Sequence, residues 1–260
     1  MKISVICPTY NSGFFLSKTL DTILAQTFTN FECIISDDGS VDETIQIANQ
    51  YKELFKKKFI EFNIIKNKHV GPGFARNRGI DLSKYEWISF IDSDDTWEPT
   101  KLERVVKIIE LSQGYNCILH RQNFIKLNGT TRRHDFDNYF NPSTSVHKQI
   151  FKTNFFAMSA VSIKKKIILD HGGFNENYQN AQDYDLWLKI GDAFKIYIIK
   201  DYLGNNIERE GNITSRSYLR RIKNLFLILN RNKKKVSFFL YAYRMLRIFL
   251  SKEWLKFFFR

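Results

Sequence analysis

Three carboxylates, Asp92, Asp94 and Asp95, follow directly on the apolar run Trp87-Ile88-Ser89-Phe90-Ile91. Ionised acids packed this closely repel one another. A cluster of them at a strand end is tolerable chiefly when a cation neutralises it. Hard divalent ions with oxygen ligands, Mg2+ or Mn2+, suit such a set and commonly hold substrate phosphates too. The chemistry on offer is a metal–diphosphate site. The plain alternative is a solvated acidic turn in which Asp94 or Asp95 caps the next helix. The string D-x-D-D is too short to decide between them.

The elements that must carry these acids are legible in the hydrophobic pattern. Apolar strand-like runs cover 2–7 (ended by Pro8), 31–36, 59–65, 86–91 and 117–121. Helical spacing covers 14–26, 41–55, 74–82 and 101–112. Strand alternating with helix predicts an α/β fold, a mostly parallel Rossmann-like sheet with helices on both faces. In such sheets ligands bind beyond the carboxyl ends of the strands. Tyr10-Asn11, Asp37-Asp38 and Asp92 to Asp95 each follow a strand's last apolar residue. They are therefore expected on one edge of the sheet, although far apart in sequence. Beyond about residue 123 the pattern weakens. Residues 126–149 read as an irregular or hairpin insertion, 155–163 and 194–199 as strands, and 181–191 as a short helix.

The chain of 260 residues is long enough for one large core, or one core and an appendage. Its aromatic content is high and Pro and Gly are few, which argues against disorder. Cys7, Cys33 and Cys117 are odd in number, lie in apolar runs and fit neither a zinc site nor a disulfide framework, so buried thiols are expected. The apolar N-terminal run is too short for a signal peptide, and no uncharged apolar stretch is long enough to span a bilayer. The net charge of +13 is unevenly spread. Residues 216–260 hold seven Arg and six Lys against one acid, Glu253, so the body is nearly neutral and the basic character is C-terminal.

Taken together, the segments over residues 1–215 resemble family-2 glycosyltransferases of the GT-A fold. The resemblance rests on elements in the family's order: Ser4-Val5-Ile6-Cys7-Pro8-Thr9-Tyr10-Asn11, Leu24-Ala25-Gln26-Thr27-Phe28, Ile35-Ser36-Asp37-Asp38-Gly39-Ser40, Gly71 with Ala75-Arg76-Asn77-Arg78-Gly79, Asp92-Ser93-Asp94-Asp95, Gly172-Gly173-Phe174 and Gln182-Asp183-Tyr184-Asp185-Leu186-Trp187. It implies a nucleotide-sugar-binding half (1–122) and an acceptor-binding half (123–215). Pro8, Thr9, Tyr10, Asp38, Arg76, Asp92, Ser93 and Asp94 are then expected to hold a UDP-sugar. Tyr10 offers a face for the base. Asp38 can accept from the uracil N3–H, or instead form an Asx turn with Gly39. Arg76 can reach the nucleotide or diphosphate, or stand free on the surface.

Asp94 resembles the ligand of Mn2+ or Mg2+ that bridges the phosphates, with Asp92 and Asp95 holding the ribose or completing the metal shell. Asp183 matches the general base, with helix capping as the alternative. Gly173, Phe174, Gln182 and Trp187 are expected to line the acceptor site. Two departures stand out. The family's Glu-Asp is Gln182-Asp183 here, which leaves the base in place. Many relatives carry a histidine near the position of Arg209. Arginine cannot ligate a metal but can neutralise a leaving diphosphate.

These expectations add up to an inverting, metal-dependent hexosyltransferase using a UDP-hexose, glucose or galactose favoured. The tail, 216–260, is expected to be a basic, aromatic amphipathic helix lying on an anionic membrane surface, with packing on the body as the alternative. A membrane-bound tail fits a polyprenyl-diphosphate-linked sugar acceptor in O-antigen or capsule synthesis, and a peripheral position on the inner, cytoplasmic face of a bacterial membrane. No nucleic-acid partner is expected, since no recognised binding module is visible. The competing classes are a nucleotidyltransferase-like enzyme, which would want a Gly- and Lys-rich loop after the first strand, and a non-catalytic membrane- or nucleic-acid-binding module.

Overall fold

The computed structural model describes residues 1–112, 114–209 and 218–250, with backbone alone at 218–220. Strands β1 (Ile3–Thr9), β2 (Phe31–Asp37), β3 (Glu61–Lys66) and β4 (Trp87–Phe90) alternate with helices α1 (Gly13–Leu24), α2 (Thr44–Gln50), α3 (Lys52–Lys57) and α4 (Pro72–Leu82). A two-residue strand β5 (Thr96–Trp97), α5 (Lys101–Leu111), β6 (Cys117–Ile125), β7 (Thr131–His134), α6 (Val146–Lys152), β8 (Val161–Lys164), α7 (Lys165–Asp170), α8 (Gln182–Ile190), β9 (Ile196–Ile207), α9 (Tyr218–Asn232) and α10 (Phe238–Phe249) follow. One nine-stranded sheet has the order β3-β2-β1-β4-β8-β6-β9-β5, with β7 hairpinned onto β6.

The first four strands are mutually parallel, so their carboxyl ends share one edge. β1 and β2 are buried along their whole length, as near-continuous apolar runs predict for strands covered on both faces. Ile3, Val5 and Cys7 turn to the core under α1, α3 and α5, while Ile6 turns to the opposite core under α4 and α8. Gly79 lets α4 lie directly on β1: a Cβ there would fall 2.6 Å from Ile6 Cγ2. The second half turns antiparallel: β8 runs against both β4 and β6, and β9 against β5.

Pro8 does not end β1, which runs on to Thr9. The ladder to β4 closes at Ile6–Phe90, so beyond it only the β2 side is paired, through Asp38 N–H to Thr9 O. A residue without an N–H is tolerated on the open side. The helical stretch 41–55 is broken at Tyr51, whose hydroxyl donates to Asp21 (2.7 Å) and Ser17 O. The expected strand over 155–163 is confined to Val161–Lys164; Phe155 and Phe156 are buried without ladder pairing. The strand expected at 194–199 is longer, reaching Ile207. The three cysteines are buried free thiols.

The tail does not hang free. Ile228 and Leu229 of α9 are fully buried and Ile248 of α10 is 6% exposed, all within the core that holds Trp187 and Phe156. The alternative of packing on the body therefore holds for α9 and α10, while Phe238 and Phe239 stay 77% and 84% exposed. Residues 251–260 lie outside the described residues. No helix among the described residues is long and apolar enough to cross a membrane.

Candidate active site

The shared edge of β1, β2 and β4 gathers the acids as expected. Thr9 Oγ1 donates to Asp37 Oδ1 (2.8 Å), Ser12 and Ser93 hydroxyls lie 2.7 Å apart, and Asn11 N–H donates to Ser40 Oγ (2.8 Å). The loops after three strands are thus bonded to one another. Asp37 is the structural member of the Asp37-Asp38 pair: its oxygens accept from Thr9, Gly39 N, Ser40 N and Ser40 Oγ.

Asp38 is 3% exposed, and its Oδ1 accepts from Val70 N (3.0 Å) and Gly71 N (2.9 Å). His69 Nδ1 stands 2.7 Å from Oδ2, and its ring stacks on Tyr10 with centroids 4.1 Å apart. Sequence reasoning passed over His69 because it has no ligand-like spacing. The only local signal is its place two residues before Gly71, in the segment that must pass beneath Gly39.

Asp92 and Asp94 sit half-buried on the rim, each against a guanidinium. Arg76 Nη2 lies 2.6 Å from Asp92 Oδ1, its shaft buried and its head above Phe174 (5.7 Å). Arg76 is therefore no free surface arginine. Arg209 Nε lies 2.5 Å from Asp94 Oδ2 and its head covers Phe15. β9 explains how so distant a residue arrives: it runs from the acceptor half along β6 and β5, and the chain leaves its end at Asp95.

Asp95 faces inward and is fully buried. Its oxygens accept from Ser159 Oγ (2.5 Å), Asn206 Nδ2 (3.1 Å) and Ile207 N (3.1 Å). It ties β9 to the rim rather than opening onto it, so Asp92 and Asp94 are the acids presented there. Burial, and then the Asp92 charge, push Asp94 above the usual carboxylate range against the pull of Arg209. Burial pushes Asp95 well above it, with Asp94 and Asp92 adding to the shift.

Asp183 stands in the first turn of α8, behind the loop 172–181. Asn77 pins that loop, donating to Phe174 O (2.9 Å) and accepting from Phe174 N (3.0 Å), and Gln179 donates to Val70 O (2.6 Å). Burial raises the pKa of Asp183. The Arg76 charge draws it back and the Asp92 charge raises it, so the acid lies within electrostatic reach of the rim. Asp185, fully buried, meets Lys189 (2.8 Å) and Arg231 of α9 (3.4 Å), joining the tail to the helix that carries Asp183.

The expected acceptor set divides. Gly173 packs against Asn77 in a left-handed conformation, and Gln182 is 7% exposed with its carbonyl oxygen unpartnered. Trp187 and Phe174 belong to the core instead. Trp187 is fully buried against Phe156 and Phe194, and Phe174 is 2% exposed against Phe90, so neither can touch an acceptor.

The donor set fits a hard divalent ion only in part. Asp92 and Asp94 offer oxygens, but among the described residues no three or more His, Cys, Asp or Glu side chains are arranged to hold an ion. Phosphate oxygens would have to complete the shell.

A parallel half-sheet with paired acids and arginines on its carboxyl edge, joined to a mixed half carrying Asp183, is the fold of GT-A glycosyltransferases. Residues 4–172 match the model of glycosyl transferase family 2, and the chain belongs to that family. It is 29% identical over 209 residues to the amylovoran biosynthesis glycosyltransferase AmsB of Erwinia amylovora, covering 79% of this chain and 69% of AmsB. It is 26% identical over 218 residues to the GalNAc(5)-diNAcBac-PP-undecaprenol beta-1,3-glucosyltransferase of Campylobacter jejuni, covering 82% and 67%. Some relatives are longer: the chain spans 36% of an uncharacterized Nostoc glycosyltransferase. Among solved structures, S. aureus TarS 1-349 with UDP-GlcNAc superposes with a TM-score of 0.72 at 23% identity, over 97% of this chain and 69% of that one. The Pyrobaculum calidifontis mannosyltransferase PcManGT with GDP-Man and Mn2+ gives 0.70 at 17%, over 97% and 71%. A non-catalytic module and a nucleotidyltransferase-like enzyme are set aside by family membership.

Proposed function

We propose that the protein moves a hexose from a UDP-sugar to a lipid-diphosphate-linked glycan acceptor in one displacement with inversion. The observation that carries this reading is the rim, where Asp92 and Asp94 each face an arginine beyond the ends of parallel strands, with Asp183 in the first turn of α8 and its carboxyl raised by burial. A base must be ionised to take a proton, and its strength rises with its pKa, so a raised carboxyl suits the deprotonation of an acceptor hydroxyl. Tyr10 and Asp38 face the nucleobase, Arg76 and Arg209 the diphosphate, and Gly173 and Gln182 the acceptor. Asp94 and Asp92, with the donor's phosphates, would hold Mn2+ or Mg2+. Such an ion stabilises negative charge on the departing nucleoside diphosphate.

The named activity of the Campylobacter relative, on a diphosphate-undecaprenol substrate, supports a lipid-linked acceptor. The exposed Phe238, Phe239, Leu246 and Leu250 lie close in sequence to Lys233, Lys234 and Lys235 and support contact with an anionic cytoplasmic membrane face. The test is UDP release from a panel of UDP-sugars with Mn2+ and synthetic lipid-diphosphate acceptors. Asp183→Asn is expected to lower turnover by about 10²–10⁴-fold while UDP binding persists. Near-normal turnover would overturn the assignment.

A further inference from the structure

The segment that carries His69 is tied down through its backbone, while its ring stands half in solvent. Asn67 N–H donates to Asp37 O (2.9 Å), and Val70 and Gly71 N–H donate to Asp38. The backbone approaches so closely that a Cβ on Gly39, itself at φ +79°, would meet His69 N at 2.8 Å. The His69 side chain, by contrast, is 51% exposed. Its ring meets one face of Tyr10, nearly parallel at 14°, and Asp38, with Nδ1 2.7 Å from Oδ2 and 3.1 Å from the backbone O. A flat heterocycle with one polar edge, stacked on a tyrosine and bonded to a buried carboxylate, makes the same kind of contacts as a pyrimidine base with its N3–H. The imidazole and the base therefore need the same place.

We infer that His69 is the internal occupant of the nucleobase subsite. Its ring covers Tyr10 and Asp38 in the empty protein and swings out, on a stationary backbone, when the donor's base enters. This rests on the reading that Tyr10 and Asp38 receive the base. His69 thereby sets donor affinity, because every binding event must displace it, and ligands without a base escape that competition.

The test uses the full chain and calorimetric titration with UDP and, separately, with inorganic pyrophosphate, both with Mn2+. His69→Ala is expected to bind UDP about three- to tenfold tighter, the worth of one lost aromatic pair. Its affinity for pyrophosphate should not change. Without any substitution, the His69 ring protons of the wild-type protein should lose the ring-current shift from Tyr10 on addition of UDP. Unchanged or weaker UDP binding in His69→Ala, or a ring-current shift that survives saturation with UDP, overturns the proposal. Tyr10→Ala separates this from the underlying reading. If it leaves UDP affinity intact, the base does not stack there at all. If it weakens UDP while His69→Ala does not tighten it, only the displacement fails.

Discussion

Replacing Arg76 by Met would test whether acids distant in sequence share one electrostatic problem. Met keeps an apolar shaft over Phe174 but leaves Asp92 beside Asp94 without its nearest counter-charge. The Arg76 side chain is 6% exposed and that of Asp92 31%, at 2.6 Å. A hydrogen bond to a charged group contributes about 1.5–3 kcal/mol, and breaking a fully buried pair costs about 3–5 kcal/mol. Since Asp92 is partly solvated, a loss of about 2 kcal/mol is expected. In a chain of this size that is a fall in Tm of roughly 4–8 °C.

The pH dependence gives the discriminating result. Asp94, Asp95 and Asp183 have pKa values raised by folding. Such a group holds its proton more tightly folded than unfolded. Its cost is absent below the ordinary carboxylate pKa and accumulates as pH climbs from there through the raised value. The Arg76 charge offsets part of this cost at Asp183, so the penalty of Arg76→Met should be larger at about pH 7.5 than at about pH 4.5. Thermal unfolding of both proteins at the two pH values measures it. A penalty equal at both would mean that Arg76 serves packing, and that the rim acids do not repel as argued.

Three further variants probe the packing of the tail, the seat of α4 and the exposed aromatic surface. Ile228→Ala removes a fully buried side chain from α9 and should cost about 2–5 kcal/mol in urea unfolding; a loss below about 1 kcal/mol would mean that the tail is not part of the core. Gly79→Ala sets a methyl group 2.6 Å from Ile6 and should cost about 1–3 kcal/mol, seen as a lower Tm, whereas an unchanged Tm would show that α4 can lift off β1 freely. Phe238→Glu with Phe239→Glu changes only exposed surface, so stability should hold within about 0.5 kcal/mol while co-sedimentation with anionic vesicles falls; unchanged sedimentation removes the membrane contact.

The carboxyl edge of the first half-sheet was legible because its strands are short, apolar and punctuated by polar residues, so sequence order alone predicts where Tyr10, Asp38 and Asp92 meet. What was not legible depended on burial across elements. Asp94 and Asp95 are neighbours of one residue type, yet one faces the rim and the other is engaged by Asn206 and Ile207 from a strand more than a hundred residues away. Trp187 lies one helical turn from Asp183 and so shares its side of α8, but only the packing of Phe156 and Phe194 reveals that this side turns into the core beyond the first turn. The tail carries more than one apolar stripe. Hydrophobic periodicity does not say which of them meets the body, and here Ile228, Leu229 and Ile248 do while Phe238 and Phe239 do not.

The two arginines on the rim come from different halves of the chain, and that has a consequence for how the site works. Arg76 belongs to α4, which lies on β1. Arg209 follows β9, and it reaches Asp94 because Asp95 grips the strand's end. Neutralising the rim therefore draws on side chains from both ends of the sheet's chain order. On the proposed function, a divalent ion with a diphosphate would supply the same neutralisation from outside: Asp92 and Asp94 would face the ion and Arg76 and Arg209 the phosphates. Donor binding there would exchange one set of counter-charges for another without leaving the acids bare. The raised carboxyls make this exchange more favourable at neutral pH, where the cost of their ionisation is present, than in acid, where it is not.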